Sequence, residues 1–216
     1  MDRDKISSAI TTAKTSSKKR GFTQSVDLIV NLRDLDVQKP EGAIDEYVKL
    51  PVGMKKTAKI CALVGSELKA QAEQLCDKAI TLTDFPKWAS KSKCRHLVRD
   101  FDFFIAQADL MPQVAKAFGA FLGPVGKMPN PKAGQIVQPK ANLKPLVDAL
   151  KNTIRIRVKK APVIQCAIGD ESMDAKALTD NASFIVNHLE HRLPKGQSNI
   201  QAVLIKTTMG KPARVS

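Results

Sequence analysis

Ile60-Cys61-Ala62-Leu63-Val64-Gly65-Ser66 decides the fold. Five consecutive apolar residues leave no face for solvent, and a Gly-Ser turn follows at once. Such a run is a short strand covered on both sides. A helix is expected near 67–76, a second short strand at Ala79 to Leu82, and a helix over 86–98 after Asp84. Phe101 to Ile105 reads as a third strand. Leu110 to Leu122 reads as a helix burying Val114, Ala117, Phe118 and Phe121, and Asn142 to Lys151 as a fourth helix. Apolar strands alternating with helices imply a three-layer, mostly parallel α/β unit of Rossmann-like layering over 58–150.

The flanks are written differently. Ser25 to Arg33 alternates, with Val26, Leu28, Val30 and Leu32 on one face and Asp27, Asn31 and Arg33 on the other. That is a strand buried on one side. Ile154, Ile156 and Val158 repeat the pattern against Arg155, Arg157 and Lys159, and Val163 to Ile168 and Ile200 to Thr208 read as further strands. Residues 3–19 read as a helix on an Ile6, Ile10, Ala13 stripe. Lys14, Lys18, Lys19 and Arg20 load its end, where cations suit the helix dipole, and Gly21 stops it. Met173 to His191 is a long helix on Leu178, Ala182, Ile185 and Leu189. Lys39 to Glu46 reads as a polar connection, and Leu50 to Gly53 as a strand end and turn. The economical architecture is a discontinuous α+β domain, 1–56 and 151–216, carrying an inserted α/β domain, 58–150. Two adjacent chain crossings would then act as a hinge.

A chain of 216 residues, 43% hydrophobic, can bury such cores, and its formal charge of +14 favours a polyanionic partner. The excess is spread along the chain with no basic tail, so folding must assemble any binding face. Cys61, Cys76, Cys94 and Cys166 form no C-x-x-C pair, and no histidine stands at zinc-finger spacing from them, which points to reduced thiols in a cytoplasmic setting. No signal peptide opens the chain, and the apolar runs are too short to span a bilayer.

No reaction chemistry emerges from the motifs. Leu122-Gly123-Pro124-Val125-Gly126-Lys127-Met128-Pro129-Asn130-Pro131-Lys132 reads as a rigid Gly/Pro loop with Lys127 and Lys132 free to project. As a phosphate loop it fails on spacing: Phe121 replaces the first glycine and Met128 the hydroxyl residue. The turn Val64-Gly65-Ser66-Glu67 is no dinucleotide fingerprint, and Glu67 would repel a phosphate. His188 and His191 read as a polar helix face, not metal ligands. No catalytic residue, cofactor or metal is expected. Phe22 stands between a basic helix end and a strand, beside the hydrogen-bonding Thr23, Gln24 and Ser25. It reads either as a core ring or as a ring on an RNA surface. Thr207-Thr208-Met209-Gly210 is a strand-ending turn or a site. Arg155, Arg157 and Lys159 form one row suited to phosphate contact. Aromatics make up only 5%, which favours recognition of folded RNA over stacking of successive bases.

On these residues the chain resembles the universal large-subunit ribosomal protein family called L-one, in its archaeal form. Gly21-Phe22-Thr23-Gln24-Ser25-Val26-Asp27-Leu28-Ile29-Val30-Asn31-Leu32, Asp102-Phe103-Phe104-Ile105-Ala106-Gln107-Ala108-Asp109, the Gly123 to Pro129 segment and Thr207-Thr208-Met209-Gly210 carry the likeness. The resemblance implies a two-domain hinged fold and a monomer when free. It implies no enzymatic activity and a place in the large ribosomal subunit. Expected partners are the ribosomal RNA stalk beside the exit-site tRNA, that tRNA as it leaves, and the protein's own messenger RNA, whose translation it would repress. Implied RNA contacts are Phe22, Ser25, Thr208, Met209 and Gly210, with Arg157 a weaker match. Gln24, Lys18, Lys19, Arg20 and Lys159 join them as neighbouring polar and cationic groups. Val125 stands where the family usually has Arg, Lys211 where Pro commonly follows Thr-Met-Gly, and Gly21 where some relatives are basic. Two rivals stay open. One is a nucleotide-using enzyme built on the α/β unit, which titration with ATP, NAD and S-adenosylmethionine would reveal. The other is a protein-interaction adaptor docking through the Pro-rich loop, which salt-insensitive partner binding would favour.

Overall fold

The computed structural model describes residues 2–18, 20–36, 44–54, 57–88, 90–139, 141–158 and 161–215. The chain opens with α1 (Arg3–Thr15), β1 (Ser25–Leu32) and β2 (Asp45–Lys49). β3 (Ile60–Val64), α2 (Lys69–Leu75), β4 (Lys78–Thr81), α3 (Phe85–Trp88), α4 (Lys91–Asp100) and β5 (Phe103–Gln107) follow. Next come α5 (Met111–Val125), β6 (Ile136–Val137), α6 (Lys144–Lys151), β7 (Thr153–Arg157), β8 (Val163–Asp170), α7 (Ala175–Arg192), β9 (Ile200–Thr207) and β10 (Ala213–Val215). The chain divides into two compact units, 1–56 with 152–216 and 57–151.

In the first unit β10-β9-β1-β8 form an antiparallel sheet, and β2 pairs antiparallel with β7. β1 is buried at every second residue, because one face meets α1 and α7 and the other does not. Val26, Leu28 and Val30 join Ile6, Ile10, Leu178 and Ile185 in one core. Fully burying each such side chain contributes about 1.5–3 kcal/mol. Glu46 on β2 ties that two-stranded sheet to α7: His188 Nε2 lies 2.9 Å from its Oε2, and Arg192 Nε donates to its Oε1.

In the second unit β4-β3-β5-β6 are parallel. All five residues of β3 are buried, for the reason their apolar run suggests. Cys61 and Leu63 pack with Phe85, Leu97, Val114 and Phe118 on one side. Ile60, Ala62 and Val64 pack with Leu68, Ala72, Val147 and Leu150 on the other. No helix among the described residues is long and apolar enough to cross a membrane.

Several expectations change. α1 ends at Thr15, four residues short, so Lys18 and Arg20 lie beyond it. The helix expected over 86–98 is two, because the chain turns at Ser90. α5 runs through Gly123 and Pro124 to Val125, so the rigid loop starts later. Gly126 ends it with φ 76°, and the amides of Gly126 and Lys127 donate to Gly123 O and Leu122 O, each at 2.9 Å. That left-handed cap is why a glycine is needed there. β2 replaces part of the expected polar connection. β6 and β10 are two- and three-residue strands that the pattern did not signal.

Candidate nucleic-acid interface

Antiparallel pairing brings three distant segments to one end of the four-stranded sheet. Ser25 at the start of β1 faces Asp170 at the end of β8, and Val26 faces Thr207 at the end of β9. The chain leaving α1 crosses this end before entering β1. Gln24 knits the segments together. Its side chain is fully buried. Its Nε2 has Ser17 Oγ at 2.9 Å, Lys18 O at 3.2 Å and Glu171 Oε2 at 3.2 Å, and its Oε1 accepts from Met209 N at 3.1 Å. An amide nitrogen carries only two hydrogens, so the three acceptors share them. Gln24 O accepts from Glu171 N at 2.9 Å.

Thr207 is also buried, and its Oγ1 donates to Ser17 Oγ at 3.0 Å. The turn closes with Gly210 N donating to Thr207 O at 3.1 Å. A Cβ on Gly210 would stand 2.2 Å from Thr207 Oγ1, so the glycine serves the turn's return onto its own strand. Thr208 Oγ1 accepts from Ser25 N at 3.0 Å. Its hydrogen has Ser25 Oγ at 3.0 Å and Ser25 O at 3.3 Å within reach. A hydroxyl has two acceptor lone pairs, so when Thr208 donates to Ser25, Ser25 N uses one of them and the second stays available.

Above this buried layer the side chains are bare. Phe22 is 52% exposed and Met209 60%, a high exposure for large apolar groups. Thr208, Lys18, Arg20 and Lys211 are exposed and Ser25 half-exposed. The result is a small apolar and hydroxyl-bearing platform bordered by cations. Acids also sit near it: Asp170 opposite Ser25, Glu171 against Gln24, and Asp27, whose pKa burial raises, while Lys206 and the Ser25 hydroxyl pull it back. Lys14 is spent internally. Its ammonium donates to Met173 O at 2.6 Å, and burial lowers its pKa against the pull of Asp174 and Glu171.

Phe22, Ser25, Thr208, Met209 and Gly210 are thus brought together, with Lys18 and Arg20 on the chain segment beside them. Gln24 needs correcting: a side chain with no exposed surface cannot touch RNA, and it positions the turn instead. Lys19 and Lys159 lie outside the described residues. Arg157 lies on the separate β2–β7 sheet, exposed, with Nε 3.9 Å from Asp45 Oδ2. Its neighbour Arg155 is no spare cation. Its Nε and its second terminal nitrogen each donate to Asp45 at 2.6 Å, a bidentate pair. The acid missing from the Arg155-Arg157-Lys159 row comes from the facing strand.

Lys127 is corrected too. Its ammonium donates to Val98 O at 2.8 Å and Phe101 O at 2.7 Å, capping the end of α4. Asn130 Oδ1 accepts from Lys132 N at 3.0 Å and Gln135 Oε1 accepts from Asn130 N at 3.0 Å, so the Pro-rich loop is held by its own polar groups. Ser17, Thr207 and Glu171 build the platform without having been singled out as site residues. Only Thr207 carried a signal, as part of the Thr-Thr-Met-Gly turn.

The rest of the described chain shows no reaction centre. No group of three or more His, Cys, Asp or Glu among the described residues could hold a metal. Burial pushes the Cys76 thiol up to about 11 and the Cys166 thiol to about 12, which leaves both protonated and unreactive at neutral pH.

Comparison with known proteins shows the family. Residues 13–211 match the family described as Ribosomal protein L1p/L10e. The large ribosomal subunit protein uL1 of Methanothermococcus thermolithotrophicus is 39% identical over 216 residues, covering 100% of this chain and 99% of that protein. The uL1 protein of Methanothermobacter thermautotrophicus is 37% identical over 215 residues, covering 99% of each. That of Methanobrevibacter smithii is 40% identical over 209 residues, covering 96% of each. The chain therefore belongs to the ribosomal protein L1p/L10e family, and it is a ribosomal protein rather than an enzyme.

Proposed function

We propose that the protein works in the cytoplasm as part of the large ribosomal subunit, and that its sheet-end platform binds the ribosomal RNA stalk beside the tRNA exit site. One observation carries the assignment. Phe22, Ser25, Thr208 and Met209 are presented outward over a hydrogen-bonded layer whose centre, Gln24 and Thr207, is fully buried. A rigid platform loses little entropy on docking. An exposed ring and methionine can lie on ribose or base faces, and the second lone pair of Thr208 can accept from a 2′-hydroxyl. Lys18, Arg20 and Lys211 supply phosphate contacts, in keeping with the net charge of +14.

Family membership and the two compact units support the wider reading: an inserted α/β domain hinged to a discontinuous RNA-binding domain, following the stalk as tRNA leaves. The same platform would bind a copy of the stalk motif on the protein's own messenger and repress its translation. The free protein is read as a monomer.

The test is filter binding of the full chain to a stalk fragment of large-subunit ribosomal RNA. Thr208→Val should weaken binding by about 1–3 kcal/mol, since it leaves a polar RNA group unpaired. Unchanged affinity in a folded variant would remove the platform from the interface.

A further inference from the structure

The second unit carries a concave surface that RNA binding by the platform does not use. It lies between α4 and α5, encloses about 520 Å³, and is lined mostly by carbon, from Val98, Phe121, Pro124 and Val125, with Arg95 and Arg99 among the lining residues. Val125 is 50% exposed at the end of α5. It stands beside the half-buried Phe121, so together they offer an incoming apolar side chain a place to bury. The space suits one or two bulky side chains, within the roughly 300–1,000 Å³ of binding clefts.

The charged residues that line it have one sign. α4 exposes Lys91, Arg95 and Arg99 along one stripe, with Lys93 on another side towards Trp88 and Asp100 beside Arg99. The lining contains Arg95, Arg99 and Lys127 and no acid. Lys127 is fixed, because its ammonium donates to Val98 O and Phe101 O. Arg95 and Arg99 are exposed, and Arg99 meets only the neighbouring Asp100 carboxylate at 3.6 Å and His96 Nδ1 at 3.2 Å. An apolar floor beside exposed guanidinium groups matches a ligand with an apolar anchor and flanking carboxylates. RNA fits less well. The wall of Val98, Pro124 and Val125 has few groups to hydrogen-bond base edges or riboses, and Trp88, the nearby ring on α3, is already covered by Lys78 Nζ at 3.6 Å.

We propose that the α4–α5 groove docks an acidic peptide segment of a protein partner, inserting a bulky apolar side chain over Phe121 and Val125 while its carboxylates pair with Arg95 and Arg99. Such pairing is bidentate where geometry allows, and the buried apolar anchor supplies most of the affinity.

The probe is a random dodecapeptide phage library panned on the immobilised full chain, with enriched peptides then synthesised and titrated by fluorescence polarisation. Enriched sequences should combine at least one large apolar residue with several Asp or Glu. Val125→Asp, at an exposed site that should leave the melting temperature unchanged, should weaken them by about tenfold or more, and Arg95→Glu with Arg99→Glu by a similar factor. Stalk RNA affinity should stay constant in the Val125→Asp variant. No enrichment, a consensus without acids, or affinities indifferent to Val125→Asp would each overturn the proposal. So would a short RNA duplex that binds, weakens with Arg95→Glu and ignores Val125→Asp, since the surface would then be a phosphate site.

Discussion

Gln24→Leu separates a residue that touches RNA from one that positions what does. The amide is fully buried, and leucine has nearly its volume, so packing is kept while every polar contact goes. Glu171 is half-exposed and Lys18 exposed, so those acceptors regain water, and Ser17 Oγ keeps the Thr207 hydroxyl. The Met209 amide is left without its acceptor, and Ser17 Oγ with one donor fewer. At roughly 1–3 kcal/mol for each buried group so stranded, partly offset by the added apolar burial, the loss should be about 2 kcal/mol. That is a minor part of the roughly 5–15 kcal/mol that holds a domain folded, so the variant stays native at room temperature and melts lower. The freed turn no longer holds Met209 and Thr208 in place, and stalk RNA affinity should fall about tenfold, or 1.4 kcal/mol. The slope of log affinity against log salt should not move, because Gln24 neutralises no phosphate. Filter binding over several salt concentrations reads both quantities, and a thermal melt reads the stability. Full affinity in a variant that melts lower would refute the positioning role. A slope reduced by about 1 would refute the claim that no phosphate contact depends on it.

The other perturbations probe separate parts of the structure. Gly210→Ala drives a methyl into Thr207 Oγ1 and should lower both the melting temperature and RNA affinity, by about 1–3 kcal/mol in stability. An unchanged melt would mean that Thr207 can turn away without loss. Replacing Lys18 and Arg20 with glutamine should leave the melt alone and reduce the salt slope by about 1 for each phosphate no longer neutralised; an unaltered slope would place both outside the interface. Burial alone would raise the Glu46 pKa, but hydrogen bonds from His188 and Arg192 hold it below the usual carboxylate range. Its stabilisation is therefore complete above the unfolded carboxyl pKa and is lost as pH falls through the lowered folded one. Glu46→Gln should cost about 0.5–1 kcal/mol at neutral pH and nothing at strongly acid pH, read by denaturant melts at both. A deficit that persists in acid would show that the charge is not what ties β2 to α7.

The divide between what this sequence displays and what it hides follows the range of each interaction. Alternation along β1 and the unbroken apolar run of β3 are local, because side-chain direction in a strand repeats every two residues. They state which strand is covered on one face and which on two, and the burial of both strands follows that pattern. Partnership is not local. Gln24 looks like a surface residue beside an exposed ring until its partners arrive from 147 and 185 residues away. Arg155 looks like one of three free cations until Asp45 meets it from 110 positions earlier. The end of α1 is hidden for a related reason. Lys14, Lys18, Lys19 and Arg20 suggest a cationic last turn, yet α1 stops at Thr15, and Ser17 beyond it is enlisted by Gln24 and Thr207. β6 and β10 are too short for any period to register. A motif such as Thr207-Thr208-Met209-Gly210 therefore mixes two kinds of residue that sequence alone cannot sort. Thr207 and Gly210 serve the fold by shape and hydrogen bonding, whereas Thr208 and Met209 are turned outward. Substitutions in the first pair must change stability before they change binding, Met209→Ala should change binding alone, and Thr208→Val falls between them because it also removes the acceptor of the Ser25 amide.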